Sequence, residues 1–448
     1  MLSNTMRRLL FLSFWVPPRK AIGSIRSAHL LKHLPKYGWD ITVVTPRLDA
    51  AGGDTIPNYV ETGYWDLKEV MKRAIGMGGR GAHDALKVDV PVYGEKRTLK
   101  SHIVYAASSL VTYPDDYVGW LPFATRTLGR LTAREKWDAV LSSAPPWTGN
   151  LAAALARRNV PWIADFRDLW AENDYSERSK LQAWLDEKLE RATLSRAAAL
   201  TASSELSADL LRERYPGKPC TPISSGFDIE EWRAIDFGSE RACTFLYAGN
   251  LYRGHRDPSM LFAATREILD QGLAKPEELR IEFYSPREPW LLKLIASYGL
   301  EDVAVVHGFV DRQMVLAAER RADRLIVLCW DGQGAEGVVA GKLFEYLGAR
   351  RPILAIGGPA KLSVEDILTA TGAGVRSRTV AETKADVLNA LAEHRSGHRR
   401  VIPEHAVRSY SGEECARQFA EVLESVVNGS SARVSPHSSN REAISNVS

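Results

Sequence analysis

The chain has 448 residues, of which 45% are hydrophobic and 25% are charged, and its formal net charge is +3. This composition excludes an intrinsically disordered chain and a protein built mainly from membrane spans, and the length predicts two domains. We expect no nucleic-acid partner, because proteins that bind nucleic acid normally carry a concentrated basic face.

Positive charge is concentrated in the first third of the chain, where residues 1–150 include 20 basic and 13 acidic residues. A solvated surface explains this excess, and the alternative is a face that rests on anionic lipid at the inner membrane surface. The cysteines form no Cys-x-x-Cys pair, which predicts reduced thiols in a cytoplasmic protein and neither a disulfide framework nor a metal site. They are Cys220, Cys243, Cys329 and Cys415.

The first elements form a βαβ pattern. The apolar run Leu9–Val16 ends at Pro17-Pro18 without a small-residue cleavage pattern, which predicts a buried strand rather than a signal peptide. Ile25–Tyr37 has the period of a helix, and Asp40–Thr45 has the composition of a second strand. Residues 48–100 lose this pattern and predict an irregular insertion.

Strand-length apolar runs and helical segments alternate along the rest of the chain, which predicts an α/β fold with two Rossmann-like domains. Residues 216–243, rich in Pro and Gly, predict the connection between an amino-terminal domain, 1–215, and a carboxyl-terminal domain, 244–400. We expect a helix over 401–428 to cross back to the first domain, and 429–448 to be disordered. The further predicted strands are Trp137–Ser142, Trp162–Asp165, Ala198–Ala202, Thr244–Ala248, Arg280–Tyr284, Val303–His307, Arg324–Cys329 and Pro352–Ile356, and the helices between the first of them are Trp147–Arg158 and Arg178–Arg196.

The strongest local signal for function is a run of small residues that leads from the strand ending near Cys329 into a helix. Small residues let backbone N–H groups approach a diphosphate, and the helix dipole favours the negative charge. Lys342 adds an ammonium group, and Glu345 can accept hydrogen bonds from two ribose hydroxyls, so the segment predicts a nucleotide site. The alternative is a plain i,i+3 ion pair between these two side chains. The small residues are Gly337, Val338, Val339, Ala340 and Gly341.

Gly341–Leu347 resembles the donor motif of the family-4 glycosyltransferases, which are retaining enzymes of the two-domain GT-B fold, and especially of their bacterial polysaccharide-type members. The resemblance covers nearly the whole chain outside residues 48–100 and the tail. Four other segments resemble motifs of the same family in the same order: Asp165–Trp170, Ile223–Asp228, Tyr247–Leu251 and Val306–Val310.

The resemblance implies roles for individual residues. Glu345 would hold the ribose, Lys342 and Arg253 would hold the diphosphate, and the backbone near Phe309 and Val310 would contact the base. Arg256 competes with Arg253 for its role. Three further donor-site residues are implied: Gly249 and Asn250 in the turn after a strand, and Glu336 before the small residues. Gly23 at the start of the first helix is a fourth, and for this glycine simple turn geometry is the alternative.

Two features depart from the family pattern. The family has two glutamates eight positions apart, whereas Gly337 stands eight positions before Glu345 and Glu336 stands nine before it. Either Glu336 serves as the first glutamate or only the ribose glutamate remains. The stretch Ser142–Trp147 also lacks the histidine that many members place beside the reacting carbon.

The acceptor side is predicted in the first domain. Asp165 and Asp168 flank the end of a strand, so both carboxylates could face the cleft between the domains, and Asp168 is the candidate catalytic carboxylate. The alternative for Asp168 is a pair with Arg167 or a cap on the next helix. Tyr117 and Trp120 belong to a segment that resembles an acceptor-side motif, and they either stack on sugar or cover the core.

The sequence therefore predicts a metal-independent and cofactor-free glycosyltransferase, cytoplasmic or peripheral on the membrane. It would move a sugar with retention from a nucleotide-diphosphate sugar to a glycan or lipid-linked acceptor in cell-surface or exopolysaccharide biosynthesis. Arg253 and Lys342 would stabilise the leaving diphosphate, and no nucleophile is predicted. The alternatives are a nucleotide-sugar epimerase of the same fold and a catalytically degenerate partner protein that binds glycan or nucleotide.

Overall fold

The computed structural model describes residues 6–19, 21–48, 58–74, 111–156, 159–171, 180–252, 255–330 and 341–434. Its strands form two separate parallel sheets. The first sheet contains β1 (Arg7–Ser13), β2 (Trp39–Pro46), β3 (Tyr59–Thr62), β4 (Ala139–Ala144), β5 (Trp162–Phe166), β6 (Ala199–Ala202) and β7 (Cys220–Pro222). The second contains β8 (Cys243–Ala248), β9 (Leu279–Tyr284), β10 (Ala304–Val306), β11 (Arg324–Leu328), β12 (Ile353–Ile356) and β13 (Gly374–Ser377).

Both sheets have the strand order of a doubly wound fold. The order is β3-β2-β1-β4-β5-β6-β7 in the first sheet and β10-β9-β8-β11-β12-β13 in the second. The first strand of each sheet therefore lies in the middle, and the chain moves outward from it in both directions. Register pairs Leu9 of β1 with Ile41 on one side and Ala139 on the other. Because helices cover both faces, such central strands are continuous apolar runs.

Helices connect the strands in both halves of the chain, and within the described residues none is long and apolar enough to cross a membrane. The helices are α1 (Ile22–His33), α2 (Leu67–Ala74), α3 (Leu121–Arg134), α4 (Trp147–Ala156), α5 (Lys180–Leu194), α6 (Glu205–Arg214), α7 (Ile229–Arg233), α8 (Ser259–Asp270), α9 (Pro289–Ser297), α10 (Arg312–Arg321), α11 (Gly341–Ala349), α12 (Ser363–Thr371), α13 (Val380–Arg395), α14 (Glu404–Val407) and α15 (Gly412–Val434).

Three segments differ from the sequence predictions. The segment 48–100 contains β3 and α2, so its described part is regular, while residues 75–100 lie outside the described residues. The segment 216–243 contains β7, which completes the first sheet. Helix α15 continues to Val434, past the predicted start of the disordered tail, and 435–448 lie outside the described residues. Strands of three or four residues, such as β3, β7 and the unpredicted β13, are too short to show a clear period.

Helix α15 packs against the first sheet although it follows the second sheet in the chain. Phe419 and Leu423 are fully buried in the same hydrophobic cluster as Leu9 and Trp39. Directly before α15, Ser411 forms an isolated parallel β-bridge with Phe227, which lies in the segment between the two sheets. The core of the first sheet is therefore completed by the last described helix.

A buried ion pair joins helix α1 to the end of β5. Asp165 is 0% exposed and Arg26 is 2% exposed. Arg26 donates from Nε and Nη2 to the two carboxylate oxygens of Asp165 at 3.0 and 2.7 Å. The hydroxyls of Ser143 and Thr201 donate to the same carboxylate at 2.8 and 2.7 Å. The prediction that Asp165 contacts an acceptor is wrong for this structure, because four donors inside the protein occupy its carboxylate.

Side chains of α1 also form hydrogen bonds to the segment that connects the two sheets, at residues 223–225. Arg26 Nη1 donates to the carbonyl oxygens of Ile223 and Ser224, each at 2.7 Å. One helical turn later, His29 Nδ1 lies 3.1 Å from the carbonyl oxygen of Ser225. Burial disfavours the charged imidazolium and lowers the pKa of His29 to about 4, although the bond to Ser225 opposes this shift. His29 is therefore neutral at pH 7 and donates one N–H to the segment.

We expect the Asp165→Ala variant to lose about 3–5 kcal/mol of unfolding free energy, because it leaves the Arg26 guanidinium buried without its partner. Urea unfolding followed by circular dichroism measures the loss. Ser143→Ala is the control, since it removes one hydroxyl donor and should cost about 1 kcal/mol. Equal losses in the two variants would contradict a dominant role for the ion pair.

We expect acidification to destabilise the protein through His29. Its pKa is about 4 in the folded protein and about 6.5 in an unfolded chain, so the unfolded state binds more protons between these values. The unfolding free energy that the neutral His29 side chain contributes is fully present above pH 6.5. It falls by roughly 2–3 kcal/mol as the pH approaches 4. Urea unfolding at pH 7.5 and 4.5 should show a smaller loss in His29→Asn, whose amide can still donate to Ser225. The same pH dependence in both proteins would disprove this assignment.

Candidate functional site

The second sheet has its switch point between β8 and β11. Parallel sheets of this kind bind ligands in the crevice outside the carboxyl ends of the strands at such a point. Gly249 follows β8, and helix α11 follows β11. A Cβ atom on Gly249 would lie 3.9 Å from Lys342 Cγ. The structure thus brings together two predicted donor-site residues that are far apart in the sequence.

Lys342 and Glu345 form a partly buried charge cluster with side chains from α7 and α10. Lys342 Nζ pairs with Glu345 Oε1, so the alternative i,i+3 ion pair is present. Arg312 Nη1 lies 2.6 Å from the other oxygen of Glu345, and Arg312 Nη2 lies 3.0 Å from Glu231 Oε2. Glu319, which is 0% exposed, places its Oε1 3.5 Å from Lys342 Nζ. Two cations therefore hold the Glu345 carboxylate at the start of α11.

The cluster sets the protonation of its two innermost carboxyl groups. Burial opposes ionisation of Glu345, but Lys342 and Arg312 outweigh burial and lower its pKa. Burial and the neighbouring Glu345 charge raise the pKa of Glu319 well above its ordinary value. Burial would lower the pKa of Lys342, and the two glutamates outweigh this effect and raise it. These shifts favour an ionised Glu345, a charged Lys342 and a neutral Glu319.

The loop between β10 and α10 lies beside this cluster and carries the predicted base-contacting residues. His307 stacks on Tyr284, with ring centroids 4.4 Å apart and an interplanar angle of 17°. Phe309 is 88% exposed, and Val310 follows it at the edge of the loop. Arg312, which holds Glu345, lies in the first turn of the helix after this loop. The loop thus offers an exposed aromatic ring next to the carboxylate.

The turn after β8 is described only up to Tyr252. The carbonyl oxygen of Asn250 accepts from the Tyr247 hydroxyl at 2.8 Å and from Arg256 Nη1 at 3.3 Å. The Arg256 guanidinium lies 5.2 Å from the centre of the Tyr252 ring. Arg256 therefore brings a cation to the same turn. The predicted donor-site residues that lie outside the described residues are Arg253, Glu336, Gly337, Val338, Val339 and Ala340.

The switch point of the first sheet lies between β1 and β4. Arg167 forms hydrogen bonds both to the start of α1 and to the end of β4. The guanidinium donates to the carbonyl oxygens of Gly23 at 2.6 Å and Ala144 at 3.4 Å, and also to that of Pro145. A Cβ atom at Gly23 would collide with this guanidinium. A side chain at position 23 would therefore have to displace the Arg167 guanidinium, whether or not a phosphate approaches there.

The remaining predicted acceptor-side residues differ in accessibility. Asp168 is exposed. Tyr117 is half-buried, with its ring 4.4 Å from that of Phe14. Trp120 is 0% exposed and donates from Nε1 to Thr62 Oγ1 at 2.8 Å. The prediction that Trp120 stacks on sugar is wrong for this structure, because its ring lies in the core, whereas Asp168 and Tyr117 reach the surface.

One group of three potential metal ligands occurs among the described residues, at the amino-terminal edge of the second sheet. It consists of Cys243, Asp323 and His394. The Asp323 carboxylate accepts from Arg399 Nε and from the Thr244 N–H, each at 2.9 Å. A cation there would compete with an arginine and a peptide donor, and the group lies at the edge opposite to Lys342. The sequence prediction of metal independence remains a prediction.

Comparisons with known proteins agree with this architecture. Residues 23–224 match the model of the glycosyl transferase 4-like domain. Sucrose-phosphate synthase from Thermosynechococcus elongatus aligns over 94% of this chain and 100% of its own, with a TM-score of 0.60 and 12% identity. The lipopolysaccharide outer core galactosyltransferase WaaB aligns over 93% and 99%, with a TM-score of 0.55 and 12% identity. A putative UDP-N-acetylglucosamine 2-epimerase from Listeria monocytogenes aligns over 94% and 97%, with a TM-score of 0.52 and 14% identity.

The first half of the chain thus resembles the glycosyl transferase 4-like domain over residues 23–224, and the two sheets form the α/β GT-B fold. The fold expected from the sequence motifs is confirmed. No curated protein sequence matches the chain. The structural neighbours share at most 14% identity in these three comparisons, so they show the fold alone.

We expect Arg167→Lys to lower the unfolding free energy by roughly 1–3 kcal/mol, because a single ammonium cannot bond three carbonyl groups in the place of a planar guanidinium. Urea unfolding measures the change. Arg196→Lys is the matched control, since exposed Arg196 donates one bond, to the Ala154 carbonyl at 3.0 Å. A loss in Arg167→Lys no larger than in the control would contradict the bridging role.

Proposed function

We propose that the protein is a retaining glycosyltransferase that moves a sugar from a nucleotide-diphosphate donor to a glycan or lipid-linked acceptor. The observation that carries the proposal is the position of Lys342 in the first turn of α11, beside Gly249 at the switch point of the second sheet, with Glu345 one turn further along the helix. A helix amino terminus, a cation and a carboxylate together suit a diphosphate and a ribose.

The donor site works mainly by electrostatics in this proposal. The bond between the anomeric carbon and the diphosphate breaks, and the diphosphate leaves with the electron pair. Lys342 and the amides at the start of α11 stabilise the charge that develops on the diphosphate without transferring a proton. Glu345, which is ionised and oriented by Arg312, accepts hydrogen bonds from the ribose hydroxyls. The exposed ring of Phe309 supplies a surface for the base.

The acceptor enters from the first domain in this proposal. Its hydroxyl oxygen forms the new bond to the anomeric carbon on the face that the diphosphate leaves, which gives retention. Asp168 takes the hydroxyl proton, since its carboxylate is exposed just after β5 at the carboxyl edge of the first sheet. The half-buried Tyr117 contacts the acceptor sugar.

We place the reaction in the cytoplasm, in cell-surface or exopolysaccharide biosynthesis, with peripheral contact at the inner membrane surface. The four cysteines are free and buried, which suits a reducing compartment. The basic excess of residues 1–150 suits an anionic lipid surface that presents a lipid-linked acceptor. No metal is required in this mechanism, because Lys342 and the helix amino terminus supply the positive charge.

An epimerase is the second candidate, because a putative UDP-N-acetylglucosamine 2-epimerase from Listeria monocytogenes aligns over 94% of this chain with a TM-score of 0.52. An epimerase interconverts two sugars without an acceptor. Incubation with nucleotide sugars, followed by mass spectrometry and NMR, separates the two functions. A product of increased mass on an added glycan supports transfer, and isomerisation of the free nucleotide sugar supports epimerisation.

We expect the wild-type protein to bind one of UDP, GDP, ADP or dTDP, and Glu345→Ala to weaken this binding by roughly 10- to 100-fold, because hydrogen bonds to a charged group are worth about 1.5–3 kcal/mol each. Lys342→Ala should have an effect of similar size. Isothermal titration calorimetry measures both.

The control for these variants is Lys384→Ala, which removes a surface ion pair with Glu267 between α8 and α13. Its affinity should equal that of the wild type. A folded wild-type protein that binds none of the four nucleotides or their sugars would remove the proposed donor site and leave the partner-protein alternative.

A further inference from the structure

Glu319 is a buried carboxyl group that the proposed reaction does not use. It lies in α10 with 0% exposure, and its Oε1 is 3.5 Å from Lys342 Nζ. Its Oε2 is also buried, and among the described residues no donor reaches this atom. The Glu319 side chain instead meets the carboxyl group of Glu345. Lys342 Nζ donates to Oε1 of both carboxyl groups, and among the described residues only Glu319 Oε2 of this pair is left buried without a donor.

A proton on Glu319 would remove the repulsion between the two carboxyl groups and give the buried Oε2 atom a hydrogen-bond partner. Two neighbouring carboxylates in a buried site cannot both ionise without a large electrostatic cost. Lys342 and Arg312 supply two positive charges, and Glu345 and Glu231 supply two negative charges, so the cluster is neutral only when Glu319 is protonated. The protonated Oε2–H then donates to Glu345, and the buried oxygen gains the partner that it lacks as a carboxylate.

Among the described residues, no titratable group around Glu319 donates to its Oε2 atom. Lys342, Glu345 and Tyr346 approach it from α11, and Arg312 lies on its own helix. The Tyr346 hydroxyl accepts a hydrogen bond from the Ala248 N–H at 2.8 Å, which fixes the tyrosine side chain in the core. Both cations also contact Glu345. Glu345 is therefore the group whose position depends on the protonation of Glu319.

We propose that Glu319 is a positioning residue of the nucleotide site: a protonated carboxylic acid that donates to Glu345 and orients this carboxylate for the ribose. The role rests on the proposed function. When Lys342 turns toward a diphosphate, Glu345 loses one of its two cations, and the hydrogen bond from Glu319 still holds it. An ionised Glu319 would instead repel Glu345 and retain Lys342 away from the diphosphate. Nucleotide affinity should therefore fall when alkaline pH removes this proton.

The protonation can be measured without a nucleotide. Infrared spectra in D2O at pH 7 should show the carbonyl band of a protonated carboxylic acid in the wild-type protein, and the band should be absent from Glu319→Gln. The control is Glu240→Gln, because Glu240 is partly exposed and pairs with Arg321 at 2.6 Å. This control should keep the band. Identical spectra for wild type and Glu319→Gln would overturn the inference, whatever the function of the protein.

The positioning role is tested by titration with UDP, GDP, ADP and dTDP between pH 6 and 10. The glutamine amide donates as the protonated acid does, so Glu319→Gln should keep the wild-type affinity at pH 7 and lose the decrease at alkaline pH. Glu319→Ala, which cannot donate, should bind about tenfold more weakly at all pH values. Circular dichroism checks that each variant is folded.

Each outcome bears on a different statement. Wild-type binding that is lost in a folded Glu319→Gln, or a wild-type alkaline decrease that persists in this variant, would overturn the positioning role alone. No binding of any nucleotide by the wild type would overturn the proposed function and the positioning role with it, while the infrared band would still decide the protonation of Glu319.

Discussion

The pair of Arg26 and Asp165 is the interaction on which the arrangement of both halves depends. A buried ion pair is costly to desolvate and is favourable only when every polar atom finds a partner. Here the carboxylate is shared by β4, β5 and β6, and the guanidinium also holds the carbonyl groups of Ile223 and Ser224. The segment that leads to the second sheet is therefore anchored directly to the carboxyl edge of the first.

The two switch points are built differently, although the sheets share one strand order. In the first sheet, Arg167 fills the space between the loops and fixes them through backbone carbonyl groups. In the second, Lys342 and Glu345 lie at the edge with their charges balanced by Arg312 and Glu319. At the first edge the cation bonds to backbone carbonyl groups, and at the second edge the cations pair with carboxylates. This asymmetry agrees with a first domain that shapes the site and a second domain that binds an anion.

Most of the fold could be predicted from the sequence because buried parallel strands leave continuous apolar runs, as in Leu9–Val16. Short strands such as β3 leave no such trace. Lys342 and Glu345 were accessible to prediction because they are close together in one motif. Glu319 was not, since it belongs to a helix whose charged residues resemble a solvated surface. Asp165 was wrongly assigned to the acceptor because its partner Arg26 lies 139 positions earlier and no local pattern joins them.

The return of α15 to the first sheet has a consequence for how the protein can be divided. Phe419 and Leu423 close the cluster that contains Leu9 and Trp39, so a fragment that stops after the first sheet would expose an apolar surface. Residues 23–224 match a family model, but part of the core of their sheet is supplied by α15. During synthesis the apolar surface of the first sheet therefore stays uncovered until the ribosome has translated α15, which follows every strand of the second sheet.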